Sequence, residues 1–389
     1  MTDASLASAP LAQTPLHDWH QSHGGRLVDF AGWSMPVQYK SIVEEHNAVR
    51  SAAGLFDVSH MGRLRLEPLS GDDDSTKFLD SVVTRRVTDM QPGQVRYSLI
   101  TNDSGGILDD ILVYRLQNAT GGTYHLLVVN ASNRTKIIDW LKPQLADCGD
   151  VRMTDLTTTE AMIAVQGPRA LDILQPIVDA ELGAMKYYQC RETRFPSLSD
   201  KKAGLEVHGL VSRTGYTGED GWEIIVSSDY VTQLWEELLA LGGNCGATAC
   251  GLASRDTLRL EAGMPLYGHE LTEAINPFQA GLNFAVNLKD RAFPGSAALA
   301  KPAADVMQPR RVGLVVESKR VPREGYPVLA DGKSIGYVTS GTFSPTFNTP
   351  IAMAYVEPQF AAVDTKLAID VRGKSEPCRV VALPFYRRS

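Results

Sequence analysis

Three short apolar segments between residues 95 and 130 limit most narrowly what this chain can fold into. They are VRYSLITN, GGILDDILVYRL and TYHLLVVN, and the sequences that connect them are Asn-Asp-Ser-Gly-Gly and Asn-Ala-Thr-Gly-Gly. Each segment is rich in residues that favour β-strands, and each connection is typical of a tight turn. The pattern predicts a β-meander whose central strand carries two adjacent aspartates.

Those two aspartates, Asp109 and Asp110, stand in an otherwise apolar strand. Successive side chains of a strand point to opposite faces, so the two carboxyl groups are predicted to lie on different faces. Both faces are apolar, and at least one carboxylate therefore points into a buried or pocket-like environment, where an unpaired charge shifts its pKa. A functional carboxylate is one interpretation, and a pair that satisfies backbone amides at a strand end or bulge is the other. The spacing alone does not choose between the two residues.

Helix signals occur on both sides of the meander. Ser41 and Glu44 predict a capping box, and the helix that it begins is expected to end near Gly54, in the left-handed conformation. After the meander, KIIDWLKPQL predicts a helix capped by Ser132 or Asn133. A further helix is predicted over about 251–262.

The overall composition limits which cellular compartment and which binding partners are expected. A chain of 389 residues exceeds the usual size of one hydrophobic core, so two or three domains are expected. The formal net charge of −7 argues against nucleic acid as the main partner. Five cysteines without a CxxC pair favour a reducing compartment over a disulfide framework. Because no leader peptide and no apolar run of ~18 residues is apparent, we expect a soluble cytoplasmic protein.

Histidines occur in two places where a metal or a base is conceivable. His17, His20 and His23 share one helical face, but no acid or cysteine completes a metal site locally, so a polar helix face is favoured. His60 in DVSHMG stands alone, which favours a hydrogen-bonded core histidine over a base. No metal site is expected.

Two further segments carry charged residues that could have either a binding role or a structural role. Glu223 follows the glycine-rich turn in SRTGYTGEDGWE, where it could bind a planar array of donors or be a solvated turn residue. This stretch is not a dinucleotide fingerprint. Arg255 and Arg259 lie one helical turn apart near Asp256 and Glu261, a pattern that favours a salt-bridged helix face.

Taken in order, several motifs are more specific than any of these features alone. They are TPLHDWHQSHGGRLVDFAGWSMPVQY, LFDVSHMG, NDSGGILDDILVY, AVQGP, RTGYTGEDGWE, GLASRDTLRLEAGMPLYG and TSGTFSPTFN. Together they resemble the aminomethyltransferase (T-protein) family of the glycine cleavage system, from about Thr14 to the C-terminus.

The resemblance implies a fold and an activity. The fold is a three-domain, cloverleaf-like α+β arrangement, with residues 1–300 forming two interleaved α+β subdomains that bind folate and residues 301–389 forming a C-terminal β-barrel. The activity is transfer of a one-carbon unit from an aminomethyl group on the lipoyl arm of a carrier, the H-protein, to tetrahydrofolate, with release of ammonia.

The resemblance also assigns roles to residues of this chain. Asp110 is implied to be the catalytic aspartate near the bridging nitrogen of the folate, which leaves Asp109 as a structural partner. Glu223 and Arg255 are implied to hold the pteridine ring. The C-terminal tail often contributes in this family, and Tyr386 is the residue here that could do so. The other implied pocket residues are Met61, Tyr97, Asn130, Tyr188 and Tyr216.

Related folate proteins are the alternatives. The folate half of a sarcosine or dimethylglycine oxidase is disfavoured because no flavin-binding GxGxxG segment is present, and fewer features of the sulfonium demethylases are found. A non-catalytic folate-binding protein of the iron–sulfur maintenance type would carry Lys-Gly-Cys-Tyr where this chain has GYTGEDG.

Overall fold

The structure is a computed structural model that describes residues 10–70, 74–118, 120–148, 150–200, 205–301 and 308–388. The extreme N-terminus and part of the expected linker DRAFPGSAALAKPAADVMQ lie outside these ranges. The helices in the described ranges are α1 (His17–Ser22), α2 (Ile42–Ser51), α3 (Asp74–Val82), α4 (Arg134–Cys148), α5 (Ala170–Leu174), α6 (Val231–Gly243), α7 (Leu252–Glu261) and α8 (Ser296–Leu299). The strands in these ranges are β1 (Ala12–Gln13), β2 (Arg26–Phe30), β3 (Trp33–Gln38), β4 (Gly54–Asp57), β5 (Gly62–Pro68), β6 (Gln94–Thr101), β7 (Ile107–Gln117), β8 (Thr123–Val129), β9 (Val151–Asp155), β10 (Glu160–Gln166), β11 (Cys190–Asp200), β12 (Leu205–Ser212), β13 (Gly221–Ser227), β14 (Thr248–Ala249), β15 (Arg310–Val316), β16 (Pro327–Ala330), β17 (Lys333–Ser344), β18 (Thr349–Val356), β19 (Lys366–Asp370) and β20 (Ser375–Val381).

The strands form three open sheets and one barrel. The small sheet has the order β1-β3-β2, the five-stranded sheet β6-β7-β8-β5-β9, and the six-stranded sheet β11-β12-β13-β10-β4-β14. The closed barrel has the order β15-β18-β17-β16-β19-β20. The α+β class, the meander β6-β7-β8 and the C-terminal barrel are thus confirmed. The domain boundary between residues 300 and 301 stays a prediction.

The five-stranded and six-stranded sheets face each other across a shared apolar core. Tyr114 of β7, Met162 of β10 and Ile225 of β13 meet in that core. Helices α3 and α4 cover the other side of the five-stranded sheet, and α5 and α6 cover the other side of the six-stranded sheet. The central strands of these layers are therefore buried on both faces, which explains why the central meander strand, β7, is apolar on both.

Strand alternation separates the two aspartates of β7 as predicted. Asp109 lies on the face of Ile111, whose side chain packs in the core under α3 and α4. Asp110 lies on the face of Tyr114, which points toward the six-stranded sheet. The turn before β7 depends on Gly106, because a Cβ there would lie 1.8 Å from the Glu273 carbonyl oxygen.

The predicted helix stop at Gly54 is wrong. The capping serine is confirmed, since the Ser41 hydroxyl accepts a hydrogen bond from the Glu44 amide, but α2 ends at Ser51 and Gly54 begins β4. The glycine is needed there for space. A Cβ at Gly54 would lie 2.4 Å from a methyl carbon of Val49.

Candidate active site

A cavity of about 1020 Å³ lies where the two facing sheets, α7 and the barrel meet. Its volume is at the upper end of the range for small-molecule sites, and its lining is mainly apolar with a few convergent polar groups. The eight residues predicted to form a site all line it: Met61, Tyr97, Asp110, Asn130, Tyr188, Tyr216, Glu223 and Arg255. Their individual roles stay predictions.

Asp110 presents its carboxyl group to this cavity from the middle of the meander. Its Oδ1 accepts a hydrogen bond of 2.8 Å from the side-chain amide of Asn130, and its Oδ2 accepts one of 3.2 Å from the Tyr97 hydroxyl. Both donors are uncharged. Burial raises the pKa of Asp110, which suits a carboxyl group that exchanges a proton near neutral pH.

Asp109 lies behind it and is fully buried. Its carboxyl group accepts hydrogen bonds from the Asn130 backbone and side chain and, at 2.6 Å, from the side chain of Asn133. Burial and then the neighbouring Asp110 raise the pKa of Asp109. A 3-10 turn, Ala131–Asn133, directly precedes α4, and the Asn133 side-chain amide donates to Asp109. The cap of α4 by Ser132 or Asn133 stays a prediction.

Glu223 lies on β13 and is buried rather than solvated. One of its oxygens, Oε2, accepts a hydrogen bond from the Thr214 hydroxyl at 2.5 Å. Burial raises the pKa of Glu223, although the positive charge of Arg255 opposes that shift. The alternative of a solvated turn glutamate is therefore wrong.

Arg255 and Arg259 differ although they lie one turn apart on α7. Arg259 forms an ion pair with Asp256 at 2.8 Å, as the salt-bridge pattern predicted, and a second one at 2.9 Å with Glu270, which lies outside that pattern. Arg255 forms no ion pair with any described residue, and its buried Nη1 has no hydrogen-bond partner. Its guanidinium lies 5.0 Å from the centre of the Tyr216 ring. Arg255 thus brings unused donors into the cavity.

Aromatic rings complete the walls. Tyr97 stacks with Phe284 at 5.9 Å, and Phe284 is well exposed, which places this pair at the cavity mouth. Tyr216 is fixed by a hydrogen bond from its hydroxyl to the Pro265 carbonyl oxygen. Tyr188 has a φ of 62°, a left-handed conformation that a bulky residue rarely adopts. Such backbone strain is typical of functional sites.

The cavity lining also includes residues that were not predicted to form the site. His60 lines it, is buried, and has no hydrogen-bond partner at Nδ1, so the predicted hydrogen-bonded histidine is not found at that atom. Burial lowers the pKa of His60 to about 4. Phe30 and Ala31, at the tip of the β2–β3 hairpin, approach the same wall. In the sequence, this segment is part of the family motif TPLHDWHQSHGGRLVDFAGWSMPVQY, and no local pattern within it predicts a cavity.

The helix-face prediction for the N-terminal histidines is wrong for His20. His20 is fully buried, and its Nε2 lies 2.9 Å from the Asp57 carboxylate, while its Nδ1 lies 2.7 Å from the Tyr39 hydroxyl. Burial would raise the pKa of Asp57, but the His20 side chain lowers it to about 2. His23 instead stacks on Trp19 at 4.0 Å. No group of three potential metal-binding side chains occurs among the described residues.

Tyr386 lies outside the cavity lining. Its ring packs 3.8 Å below the Arg50 guanidinium, and its backbone amide donates to the Glu261 carbonyl oxygen at 2.8 Å. Arg50 in turn pairs with Glu219 in the turn before Glu223. The tail residue therefore supports the turn that positions a cavity residue.

Two protein-family models match this chain. The GCVT N-terminal domain matches residues 16–290, and the glycine cleavage T-protein C-terminal barrel domain matches residues 310–387. Proteins named aminomethyltransferase from Streptomyces coelicolor and a Geobacillus species are 45% and 42% identical over 98% and 97% of this chain, and over 100% of their own length.

A solved structure agrees with these matches. The crystal structure of the glycine cleavage system aminomethyltransferase T from Bartonella henselae superposes with a TM-score of 0.84. It is 32% identical, and the alignment covers 97% of this chain and 98% of that one. The chain belongs to the glycine cleavage T-protein family and is an aminomethyltransferase.

Proposed function

We propose that this cavity binds tetrahydrofolate and that Asp110 is the catalytic residue for transfer of a one-carbon unit from an aminomethylated lipoyl carrier protein. The observation that carries the proposal is the placement of Asp110 in one cavity with a buried acceptor, Glu223, and a cation, Arg255, that forms no ion pair with a described residue. Tetrahydrofolate would supply two amine nitrogens that take over the methylene carbon, and their two protons would pass to the departing ammonia and to the lipoyl sulfur.

Glu223 and Arg255 fit the two kinds of polar edge that a pteridine offers. The second oxygen of Glu223, Oε1, can accept from ring amide and amine donors. The Arg255 guanidinium is planar, and its donors suit ring carbonyl and nitrogen acceptors. Ligand binding would satisfy the buried Nη1 of Arg255, which otherwise costs free energy. The residues present therefore fit the folate ring.

Asp110 can act on the nitrogens of a folate held in this way. A carboxylate there stabilises the positive charge that develops as ammonia departs. Because its pKa is raised by burial, the same group can also take up and release a proton. The hydrogen bonds from Asn130 and Tyr97 fix its orientation before the substrates arrive.

The carrier and the compartment follow from the same assignment. The cavity, at about 1020 Å³, has room for a folate and the end of a lipoyl arm, and we infer the lipoylated H-protein as the donor. The five cysteines are all free, which suits the reducing cytoplasm. No described helix is long and apolar enough to cross a membrane.

A direct assay tests this proposal. The protein is mixed with an aminomethylated lipoyl carrier protein, with and without tetrahydrofolate, and ammonia is measured. We expect release that depends on tetrahydrofolate and scales with enzyme concentration. If ammonia release is absent while a known family member is active in the same mixture, the proposal is wrong.

A further inference from the structure

Arg85 lies at the mouth of the cavity, in the loop that follows α3, and it is half-buried. The Arg85 guanidinium lies 6.0 Å from the centre of the Phe284 ring, and Phe284 lines the cavity and is well exposed. Burial raises the pKa of Tyr188, another lining residue, and the positive charge of Arg85 opposes that shift. Arg85 itself is outside the lining, so its charge lies where a bound ligand would leave the cavity.

The charge of Arg85 is not matched by an acidic side chain. Residues 85–96 contain three arginines and one acidic residue, Asp89, although the chain as a whole has a net charge of −7. Asp89 pairs with Arg96, and the Arg86 guanidinium donates to a backbone carbonyl oxygen at 2.8 Å. Arg85 forms no ion pair with any residue that the structure describes, and burial followed by the positive charge of Arg96 lowers its pKa. A cation in this situation favours an anionic ligand.

Contacts between side chains connect the interior of the cavity to this mouth. Tyr216 is close to both Arg255 and Asp110: its ring centre lies 5.0 Å from the Arg255 guanidinium, and burial raises the pKa of its hydroxyl, a shift to which Asp110 adds. The Tyr97 hydroxyl donates to Asp110 at 3.2 Å, and the Tyr97 ring stacks with Phe284 at 5.9 Å. The order from the interior to the mouth is therefore guanidinium, carboxyl group, aromatic pair.

A tetrahydrofolate has its chemical groups in a matching order. It consists of a pteridine ring, a bridging amine, an aminobenzoyl ring and a glutamate with two carboxylates. If the pteridine binds at Arg255 and the bridging amine at Asp110, the aminobenzoyl ring lies beside the aromatic pair of Tyr97 and Phe284. The glutamate then leaves the cavity at Arg85, whose planar guanidinium has the donor geometry that a carboxylate accepts.

We propose that Arg85 binds the glutamate end of the folate: its guanidinium pairs with the glutamyl carboxylates and strengthens the binding of folates that carry further γ-linked glutamates. The identity and orientation of the ligand rest on the proposed function. Carboxylates on the surface of an acidic carrier protein are the alternative partner. The position of Arg85 beside two rings of the cavity lining favours a ligand that extends out of the cavity.

Calorimetry of the full chain with two ligands tests this pairing directly. One ligand is tetrahydrofolate, and the other is an uncharged analogue in which a methylamide replaces the glutamate. In Arg85→Gln we expect the affinity for tetrahydrofolate to fall by about tenfold and the affinity for the analogue to stay within about twofold, because only tetrahydrofolate has carboxylates to lose. Equal losses for both ligands, or no loss for tetrahydrofolate, would overturn the proposal.

Arg86→Gln is the matched control, and Arg85→Lys is the conservative variant. Arg86→Gln removes the same charge at the next position, where the guanidinium already donates to the Lys289 carbonyl oxygen, so we expect tetrahydrofolate affinity within about twofold of wild type. Arg85→Lys keeps the charge and should lose no more than about threefold. If Arg86→Gln weakens binding as much as Arg85→Gln, overall charge rather than a site is responsible and the proposal is overturned.

Folates with several γ-linked glutamates extend the test. They should bind the wild-type protein more tightly than tetrahydrofolate at low salt, and high salt or Arg85→Gln should remove most of that gain. If Arg85→Gln raises KM for the carrier protein while its affinity for tetrahydrofolate is unchanged, Arg85 belongs to carrier docking and the proposal is overturned. If neither ligand binds the wild-type protein, the proposed function fails, and the assignment of Arg85 fails with it.

Discussion

Two carboxyl groups in facing sheets, the buried Asp57 and the half-buried Asp110, have opposite surroundings. Asp57, at the end of β4, lies 2.9 Å from the imidazole of His20, and that contact holds its pKa at about 2. Asp110, in β7, accepts side-chain hydrogen bonds from an amide and a hydroxyl, both uncharged, and burial raises its pKa. A buried carboxyl group with a basic partner is fixed as an anion and serves structure. One with neutral donors can still exchange a proton, and it is the one that faces the cavity.

The same contrast separates the two arginines of α7. Arg259 is saturated by Asp256, Glu270 and the Ser340 hydroxyl, whereas Arg255 keeps an unsatisfied buried donor. Because Ser340 belongs to β17, the fully paired Arg259 is the residue that holds α7 to the barrel. An unsatisfied buried donor of this kind is what the proposed ligand-binding role of Arg255 requires.

The largest expected effect is on catalysis by Asp110→Ala. We expect kcat to fall by about a thousandfold, or ~4 kcal/mol in activation free energy, because the cavity loses its only proton-exchanging carboxyl group on β7. Tetrahydrofolate binding, measured by calorimetry, should remain detectable because Glu223 and Arg255 are intact. Full activity in this variant would remove the assigned role.

Arg259→Met should mainly affect stability. The substitution leaves Glu270 buried without its cation, and breaking such a pair costs about 3–5 kcal/mol. Denaturant unfolding measures this loss. If Arg259→Met unfolds at the wild-type denaturant concentration, the distinction between a structural and a ligand-binding arginine fails.

Arg255→Met is the matched variant, and we expect it to affect folate binding rather than stability. We expect folate affinity to fall by about 2 kcal/mol, roughly thirtyfold, because hydrogen bonds to a charged group are lost. The free energy of unfolding should change little, since no ion pair of a described residue is broken. Unchanged affinity for tetrahydrofolate would contradict the placement of the pteridine beside Arg255.

Acid should act on the Asp57 cluster through its lowered pKa. The folded-state pKa of about 2 lies below the unfolded value of about 3.9, so the contribution to stability is complete above pH 4 and is lost as the pH falls through about 2. We therefore expect Asp57→Asn to flatten the pH dependence of the unfolding free energy between pH 4 and pH 2. A variant with the full wild-type slope in this range would show that Asp57 is not the group involved.

The smallest expected effect is that of Tyr386→Ala. Loss of the ring below Arg50 should cost about 1 kcal/mol of stability, visible as a lower Tm. KM for tetrahydrofolate should stay within twofold, because Tyr386 does not line the cavity. A large rise in KM would mean that the tail reaches the substrate after all.

Features that depend on residues close together in the chain could be predicted from the sequence, and features that depend on residues far apart in the chain could not. Local patterns were sufficient for the meander and for the separation of Asp109 from Asp110, since each follows from neighbouring residues. Gly54 was misassigned because it begins β4 and pairs with Gln166 of β10, a partner distant in the sequence. The sequence placed Arg255 and Arg259 in one pattern, and Glu270 on a later loop distinguishes them. The roles of the pocket residues came from the family resemblance rather than from spacing.

One measurement bears most directly on the central claim that Asp110 in this cavity carries the transfer. A carrier protein with a carbon-13 aminomethyl group is incubated with tetrahydrofolate and one of three enzymes: the wild-type protein, Asp110→Asn or Asp57→Asn. The temperature is kept below the melting temperature of Asp57→Asn, and the label is followed by NMR. The account predicts that label enters methylenetetrahydrofolate with the wild type and Asp57→Asn, but not with Asp110→Asn, although that variant binds tetrahydrofolate. Transfer by Asp110→Asn at the wild-type rate would contradict it.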